Sequence, residues 1–411
     1  MAIISLLALL LCIVLSFIKK INTGVIGFAL AFLVGVYLVG MSPNEVIKGF
    51  PTSMVFTLMG IMFLFGIASA NGTLGKLAAM ISNVAGNRVK LIPFIFYFFS
   101  LAVSCVVGGI IGGSLICPIA MKVGKQKNIP DFIMGAAVIF GVQGGCMTPI
   151  AANGVIAGSL MSDIGMSGMF PLWLHLAISC TILFCIAFVV GGGLKLAALD
   201  GAELNTESSS FDAKQKITAV ALVAVIICTA VLKTNVPLTA LTASAILILL
   251  GCSTANDAIN HVSWSVIVLI SGVSMLVNVM TVAGGIDAAS SWMASVMTPS
   301  TASSIMVLTG GAMSAVSSAT GVVMPTMIPT APAIAAQMGG AVTVQTIVTG
   351  IVIGSHVVPI SPLSTMGGIV MATSNEDTDK DRLFRNLLIC AILSVVACGA
   401  LAMTGFYGLF W

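Results

Sequence analysis

The sequence predicts an all-α polytopic membrane protein made of two halves of one pattern, each with five transmembrane helices and one re-entrant hairpin. Three observations predict this. Of the 411 residues, 58% are hydrophobic and 7% charged, where a soluble domain carries about 25% charged residues. Many apolar stretches approach the roughly twenty residues that a helix needs to cross a hydrocarbon core of about 30 Å. The sequence also matches itself at a fixed offset. Composition thus excludes a soluble globular enzyme. A net charge of +3, with no basic stretch interleaved with aromatics, gives no footprint for nucleic acid.

Ten stretches qualify as spans: 2–18, 23–40, 53–70, 130–157, 168–194, 217–232, 236–251, 265–283, 343–370 and 386–410. The first lacks a basic n-region and carries Lys19 and Lys20 behind it, so it reads as a span rather than a leader. Two more apolar stretches, 91–121 and 301–336, are too long for one span and too short for two. Each is interrupted in its middle: Ser104 to Ser114 holds four glycines, and Ser317-Ser318-Ala319-Thr320-Gly321 precedes Pro325 and Pro329. Each reads as a hairpin that enters and leaves on one side.

The positive-inside rule favours the hairpins. With the N-terminus outside, residues 19, 20, 76, 88, 90, 122, 125, 127, 195, 214, 216, 380, 382 and 385 are cytoplasmic, fourteen of the sixteen Lys and Arg, leaving Lys48 and Lys233 outside. Single crossings would split the same sixteen nine to seven. Both termini are then expected outside, and a bacterial inner membrane is the expected location. The ten cysteines never form a CxxC spacing and read as small buried hydrophobes.

At an offset of 213, Ala102-Val103-Ser104 meets Ala315-Val316-Ser317, Gly108 meets Gly321, Gly141 meets Gly354, Pro149 meets Pro362 and Gly154 meets Gly367. At 212, Ser53, Gly60 and Gly72 meet Ser265, Gly272 and Gly284. These identities fall on the breaks in the apolar pattern, which chance matching of Leu and Val does not produce. The halves are 1–198, with its hairpin at 91–121, and 217–411, with its hairpin at 301–336, joined by a polar linker 199–216. Because five is odd, the second half is expected upside down relative to the first, an inverted repeat with the first hairpin on the cytoplasmic side and the second outside.

Two spans carry helix-incompatible sequence: Gly141 to Gly154, with Gly144, Gly145 and Thr148-Pro149, and Gly354 to Gly368, with Pro359, Ser361-Pro362 and Ser364-Thr365. Proline removes an amide donor and glycine has the largest entropy to lose, so both spans are expected to unwind. Unwound backbone at membrane depth is tolerated only where protein packs it or a cavity is lined by it. Freed carbonyls at Gly144, Gly145, Thr148, Pro149, Val358, Ser361 and Pro362 are candidate cation ligands. Candidate substrate residues are Ser104, Gly108, Gly109, Thr148, Asn153, Ser317, Ser318, Thr320, Ser361, Ser364 and Thr365, since new helix N-termini and hydroxyls attract an anion. Without a fixed basic residue, such a site suits a small carboxylate that must also leave, reinforced by a co-bound cation. The plain alternative for each Ser or Thr is a bond to the carbonyl one turn back. His356 lies inside the second break and is either a functional ionisable group or a neutral hydrogen-bonded one. Gly60, Gly66 and Gly272 read as close-packing positions between helices.

The segments Thr148 to Gly154 and Ser361 to Gly367, with Asn71-Gly72-Thr73 and Val262-Ser263-Trp264-Ser265, resemble the malonate/dicarboxylate carrier (MatC) family of the ion-transporter superfamily, related to the divalent-anion/sodium symporters. The resemblance implies a secondary transporter for small dicarboxylates such as malonate, succinate or malate, coupled to sodium or protons. It further implies a mobile domain of hairpins and broken spans moving elevator-like against a homodimeric scaffold. The sodium symporters carry Ser-Asn-Thr at their tips, and this chain has Ser104-Cys105-Val106 and Ser317-Ser318-Ala319-Thr320 instead. The alternative is a sodium/proton antiporter, which would use an intramembrane carboxylate; every Asp and Glu here sits in a loop or at a span end. No catalytic constellation and no phosphate loop is present, so neither catalysis nor a cofactor is expected beyond sodium as a coupling ion.

Overall fold

The computed structural model describes residues 1–19, 21–73, 76, 89–196, 211–230, 232, 234–262, 264–316 and 318–411. Every regular element among them is helical. The first half runs α1 (Ala2–Lys19), α2 (Thr23–Phe32, prolonged by a π-helical stretch Leu33–Val39), α3 (Pro43–Lys48), α4 (Thr52–Ala70), α5 (Ile92–Val107), α6 (Gly109–Gln126), α7 (Asp131–Gly145), α8 (Ala152–Asp163) and α9 (Met169–Val190). The second runs α10 (Ala213–Ala230), α11 (Val236–Leu249), α12 (Ala255–Asn260), α13 (Trp264–Val282), α14 (Gly285–Ser295) and α15 (Ala302–Val316). A return arm follows, made of a π turn Ala319–Val323, α16 (Met324–Met327) and α17 (Ala331–Gln337), and then α18 (Val344–Val357), α19 (Thr365–Thr373) and α20 (Lys380–Met403). Lys20, Arg88, Lys233, Ser263, Ser317 and residues 199–210 of the expected linker lie outside the described residues.

Helix-start signals recur at the repeat offset. Asn22 and Asn235 cap α2 and α11, their side chains accepting from the Gly24 and Leu238 amides at 2.9 and 3.2 Å. Ser42 with Glu45, and Thr254 with Asp257, form capping boxes ahead of α3 and α12. The helix crossings recur too. A Cβ on Gly27 of α2 would stand 2.7 Å from the Gly272 backbone of α13, and one on Gly60 of α4 would stand 2.8 Å from the Pro237 carbonyl oxygen of α11. Each crossing pairs a helix of one half with a helix of the other, at a backbone approach that only small residues allow. Gly66, 2.8 Å by the same measure from His261 Cβ, serves likewise. The Asn71-Gly72-Thr73 turn ties α4 to α10: Asn71 donates to Thr218 at 2.7 Å, and Gln215 donates to the Asn71 carbonyl at 3.1 Å.

Among the described residues, seven helical segments are long and apolar enough to cross a membrane, and α1, α2, α7, α11 and α15 are shorter apolar helices. Large apolar side chains stand exposed along α1 (Ile3, Leu7, Leu10), α9 (Phe170, Ile186, Val190) and α20 (Ile389, Ile392, Val396). A surface of this kind is unfavourable in water and suited to lipid, so the chain is an integral membrane protein. At the centre are α7, buried from Ile133 to Gly145, and α18, buried from Ile347 to Val357. Both are buried on every face and mostly apolar, as a helix enclosed by others must be.

Each of the two interrupted apolar stretches folds as two helical arms beside these central helices, and Val89–Val106 and Ala319–Gln337 are themselves among the seven segments long enough to cross, where half-depth arms were expected. The backbones of Tyr97, Leu101 and Cys105 meet Gly141, Gly145 and Thr148 in that order, so α5 runs parallel to α7. After Gly108 the chain reverses: Gly112 packs on Val142 and Gly124 on Met134. Gly108 has φ +89°, a conformation that favours glycine, which fixes the turn there. In the second half Ser303 meets Gly350, Val307 meets Gly354, and Ser314 donates to the Ser355 carbonyl at 2.8 Å, so α15 lies along α18 as α5 does along α7.

Candidate functional site

Both central helices break, but later than the sequence reading placed it. α7 stays helical through Gly145, and the first break is 146–151; α18 runs to Val357, is followed by a 3-10 turn Val358–Ile360, and the second break is 361–364. The expected unwinding at Gly144 and Gly145 is therefore corrected. A Cβ on Gly145 would collide with the Leu101 carbonyl, and one on Gly144 would touch Cys180 at 3.3 Å and the Tyr97 hydroxyl at 3.4 Å. These glycines let α5 and α9 approach a continuous helix. Val358 also has its carbonyl engaged, accepting from the Ser361 amide at 2.8 Å.

The breaks are near copies. The Gly154 amide donates back to the Cys146 carbonyl at 3.1 Å, so the first turn of α8 folds over its own break. A Cβ on Gly154 would strike the Thr148 carbonyl, and one on Gly367 would strike the Ser361 carbonyl. They differ at the helix starts. Ser364 caps α19, accepting from the Gly367 amide at 3.1 Å and donating to the Pro359 carbonyl at 2.5 Å. α8 begins after Ala151 with no side-chain cap. Ser361 accepts from the Leu363 amide at 3.3 Å, Thr365 and Pro149 are exposed, and Pro362 is half-buried.

Two predicted site residues hold the first hairpin to the first break. Ser104 is buried and donates to the Val142 carbonyl at 2.6 Å, while the Thr148 hydroxyl donates to the Cys105 carbonyl. Ser314 does in the second half what Ser104 does in the first. The repeat offset had pointed to Ser317, one turn further on. Ser318 accepts from the Gly321 amide at 3.1 Å and starts the π turn of the return arm, where Thr320 is half-buried and Gly321 abuts Leu269 of α13.

The halves meet at Asn153 and His356. His356 is 1% exposed; Nδ1 lies 2.9 Å from the Val352 carbonyl and 3.0 Å from Ser355 Oγ, and Nε2 lies 3.3 Å from the Asn153 amide. The tautomer with the proton on Nδ1, the one that can donate to the carbonyl, leaves Nε2 to accept from Asn153. A Cβ on Gly109 would lie 3.7 Å from Asn153 Nδ2 and 3.9 Å from Gln143 Oε1. The tip of the first hairpin, the start of α8 and the two central helices thus converge on one polar spot. Gln143 was absent from the predicted set. It is 4% exposed and sits at the position matching His356 at the 213 offset, a signal present in the sequence. The second arm of each broken helix also reaches the other half: Met366 of α19 presses on Gly113 of α6, and α8 packs on the return arm. No Asp, Glu, Lys or Arg occurs at 91–121, 132–162 or 288–375, the stretches that carry the hairpin tip and both breaks; the charges of these helices, Lys122, Lys125, Asp131 and Asp163, lie at their ends.

Charged groups fasten the ends instead. Asp131, buried at the start of α7, accepts from the Asn375 amide at 2.8 Å and from Thr378 Oγ1 at 2.5 Å, and Lys125 pairs with Asp377 at 2.8 Å. An anionic side chain at a helix N-terminus also suits the helix dipole.

Residues 1–146 match the family model described as the dicarboxylate carrier protein MatC N-terminus. That match bears out the family resemblance read from the sequence. Among solved structures, the Alcanivorax borkumensis YdaH transporter aligns at a TM-score of 0.59 with 12% identity, covering 94% of this chain and 97% of that one. Neisseria gonorrhoeae MtrF, described as illuminating a class of antimetabolite efflux pumps, aligns at 0.53 with 16% identity, covering 88% and 82%. At these identities the likeness is one of fold. No match is found among curated proteins. The family match over residues 1–146 and the fold shared with transporters point to a membrane transporter rather than an enzyme.

Proposed function

We propose that the chain is a secondary active transporter of a small dicarboxylate of the malonate, succinate or malate type, coupled to a cation, sodium or proton. The observation that carries this reading is the convergence of a hairpin tip and two broken helices, joined through Asn153 and His356, on a region with no Asp, Glu, Lys or Arg. Helix starts, amides and hydroxyls hold a dianion less tightly than a buried Arg would, which suits a ligand that must be released, and a co-bound cation offsets the remaining charge. A cation exchanger would need an acidic group at the site, and the stretches that form it carry none.

The recurring caps, crossings and breaks support an inverted repeat of ten spans and two re-entrant hairpins, with both termini outside. They also support an elevator in which the hairpins and broken helices move as a body past α2, α4, α11 and α13. In this reading the protein works as a homodimer in a bacterial inner membrane. Uptake of radiolabelled malonate, succinate or malate into proteoliposomes tests it. Accumulation driven by an inward sodium or proton gradient is the expected result, and no uptake under any gradient refutes it.

A further inference from the structure

Away from the breaks, a cavity of about 610 Å³ lies between α4, the end of α8, α13 and the return arm, within the range of about 300–1,000 Å³ usual for small-molecule sites. One wall is α13. Along it Ser271, Ser274, Asn278 and Thr281 follow at spacings of three and four and share a face; the last three line the cavity, and Ser271 lies one turn deeper.

Hydroxyls in apolar helices ordinarily donate to the carbonyl one turn back, as Thr57, Thr181, Ser244 and Ser290 do here at 2.7–2.8 Å. Ser271 and Ser274 do not. Both Oγ atoms are buried without a hydrogen-bond partner, and Ser271 is 1% exposed. A buried hydroxyl left unpaired is unfavourable and needs an explanation. The repeat does not supply one, because the positions matching 271, 274 and 278 at the 212 offset are Met59, Met62 and Gly66. The opposite wall carries Ser159 of α8, six residues beyond Asn153, or about 9 Å of helix rise. Exposed Lys48 and Asp163 stand at the rim.

We infer that α13 carries a second binding station for the transported carboxylate, in which the Ser274 hydroxyl on the cavity wall donates to its oxygens, with Ser271 the next hydroxyl inward, before it reaches the first break. This rests on the carboxylate reading above. The station belongs to the wall past which α8 and the return arm would slide, so it handles the ligand while the central site is still closed to it.

The test uses the full chain in proteoliposomes with labelled succinate and malonate. A Ser271→Ala/Ser274→Ala double variant is expected to raise KM at least about tenfold, the loss expected for one hydrogen bond to a charged group. Its maximal rate should stay at the wild-type value and its thermal unfolding midpoint at or above it, since two unpaired buried hydroxyls are removed, and Ser274→Thr, which keeps the hydroxyl, should stay within about twofold of wild-type KM. An unchanged KM in the double variant overturns the station. So does a lowered unfolding midpoint, which would mark the hydroxyls as structural. If the wild-type chain takes up neither carboxylate, the transport reading itself has failed; wild-type uptake with an unaffected double variant refutes the station alone.

Discussion

Gly154→Ala tests the folded-back break. In the wild-type chain the Gly154 amide reaches across to Cys146, and a Cβ at this position would run into the Thr148 carbonyl, with the Met147 carbonyl carbon 2.9 Å away. All of these obstructing atoms are backbone, so no rotamer change relieves the collision, and either the break opens or α8 shifts. Overpacking of this kind costs about 1–3 kcal/mol, while alanine returns at most about 1 kcal/mol of helix propensity. Gly158→Ala is the control on the same helix, because a Cβ there meets only Met169 Sδ at 3.6 Å, an ordinary contact. That variant should be neutral or stabilised by up to about 1 kcal/mol. Thermal unfolding in detergent, followed by intrinsic fluorescence, is expected to place the two variants about 1–3 kcal/mol apart, since the alanine gain is common to both, with carboxylate uptake lost only in Gly154→Ala. Equal stability and equal uptake in both would refute the folded-back geometry, and with it the likeness of the two breaks.

Two further outcomes follow from the same contacts. His356→Leu should cost about 1–3 kcal/mol by leaving the Asn153 amide unpaired, whereas His356→Gln, which copies the residue at the matching position 143, should keep an acceptor and stay within about 1 kcal/mol of wild type; unfolding midpoints that do not distinguish Leu from Gln would show that the link contributes nothing. At the capping boxes, hydrogen bonds from the Ser42 backbone and hydroxyl hold the Glu45 carboxyl below its usual range, and the Thr254 hydroxyl and backbone do the same for Asp257. Both folded-state values are depressed, so this stabilisation is present above the unfolded carboxyl range and fades as pH falls through the folded values. The unfolding midpoint against pH should therefore flatten at the acid end in a Glu45→Gln/Asp257→Asn variant; an acid slope identical to wild type would contradict it.

The membrane character and the approximate place of the breaks were legible in the sequence, because each is written in local chemistry. Apolar length decides what lies in lipid. Capping residues at 22, 42, 235 and 254, and the Gly-Pro breaks, start and stop helices through contacts within a few residues of themselves. The break edges were misplaced because Gly144 and Gly145 look like helix breakers when read alone. Only the packing of α5 and α9 shows that their missing side chains admit neighbours rather than unwinding the chain.

By itself the sequence determined a charge-poor membrane protein with two interrupted apolar helices, since hydropathy and backbone propensity depend on residue type and order. Tertiary structure decided which polar groups are spent and which are left over. It committed Ser104, Thr148 and Ser364 to backbone carbonyls, paired Asn153 with His356 from the opposite half, and left Ser271 and Ser274 unpaired on α13. The physical reason is that a hydrogen bond depends on a partner within about 3 Å. For residues some 200 positions apart, as Asn153 and His356 are, that distance is set by how the two halves cross and not by anything in either local sequence.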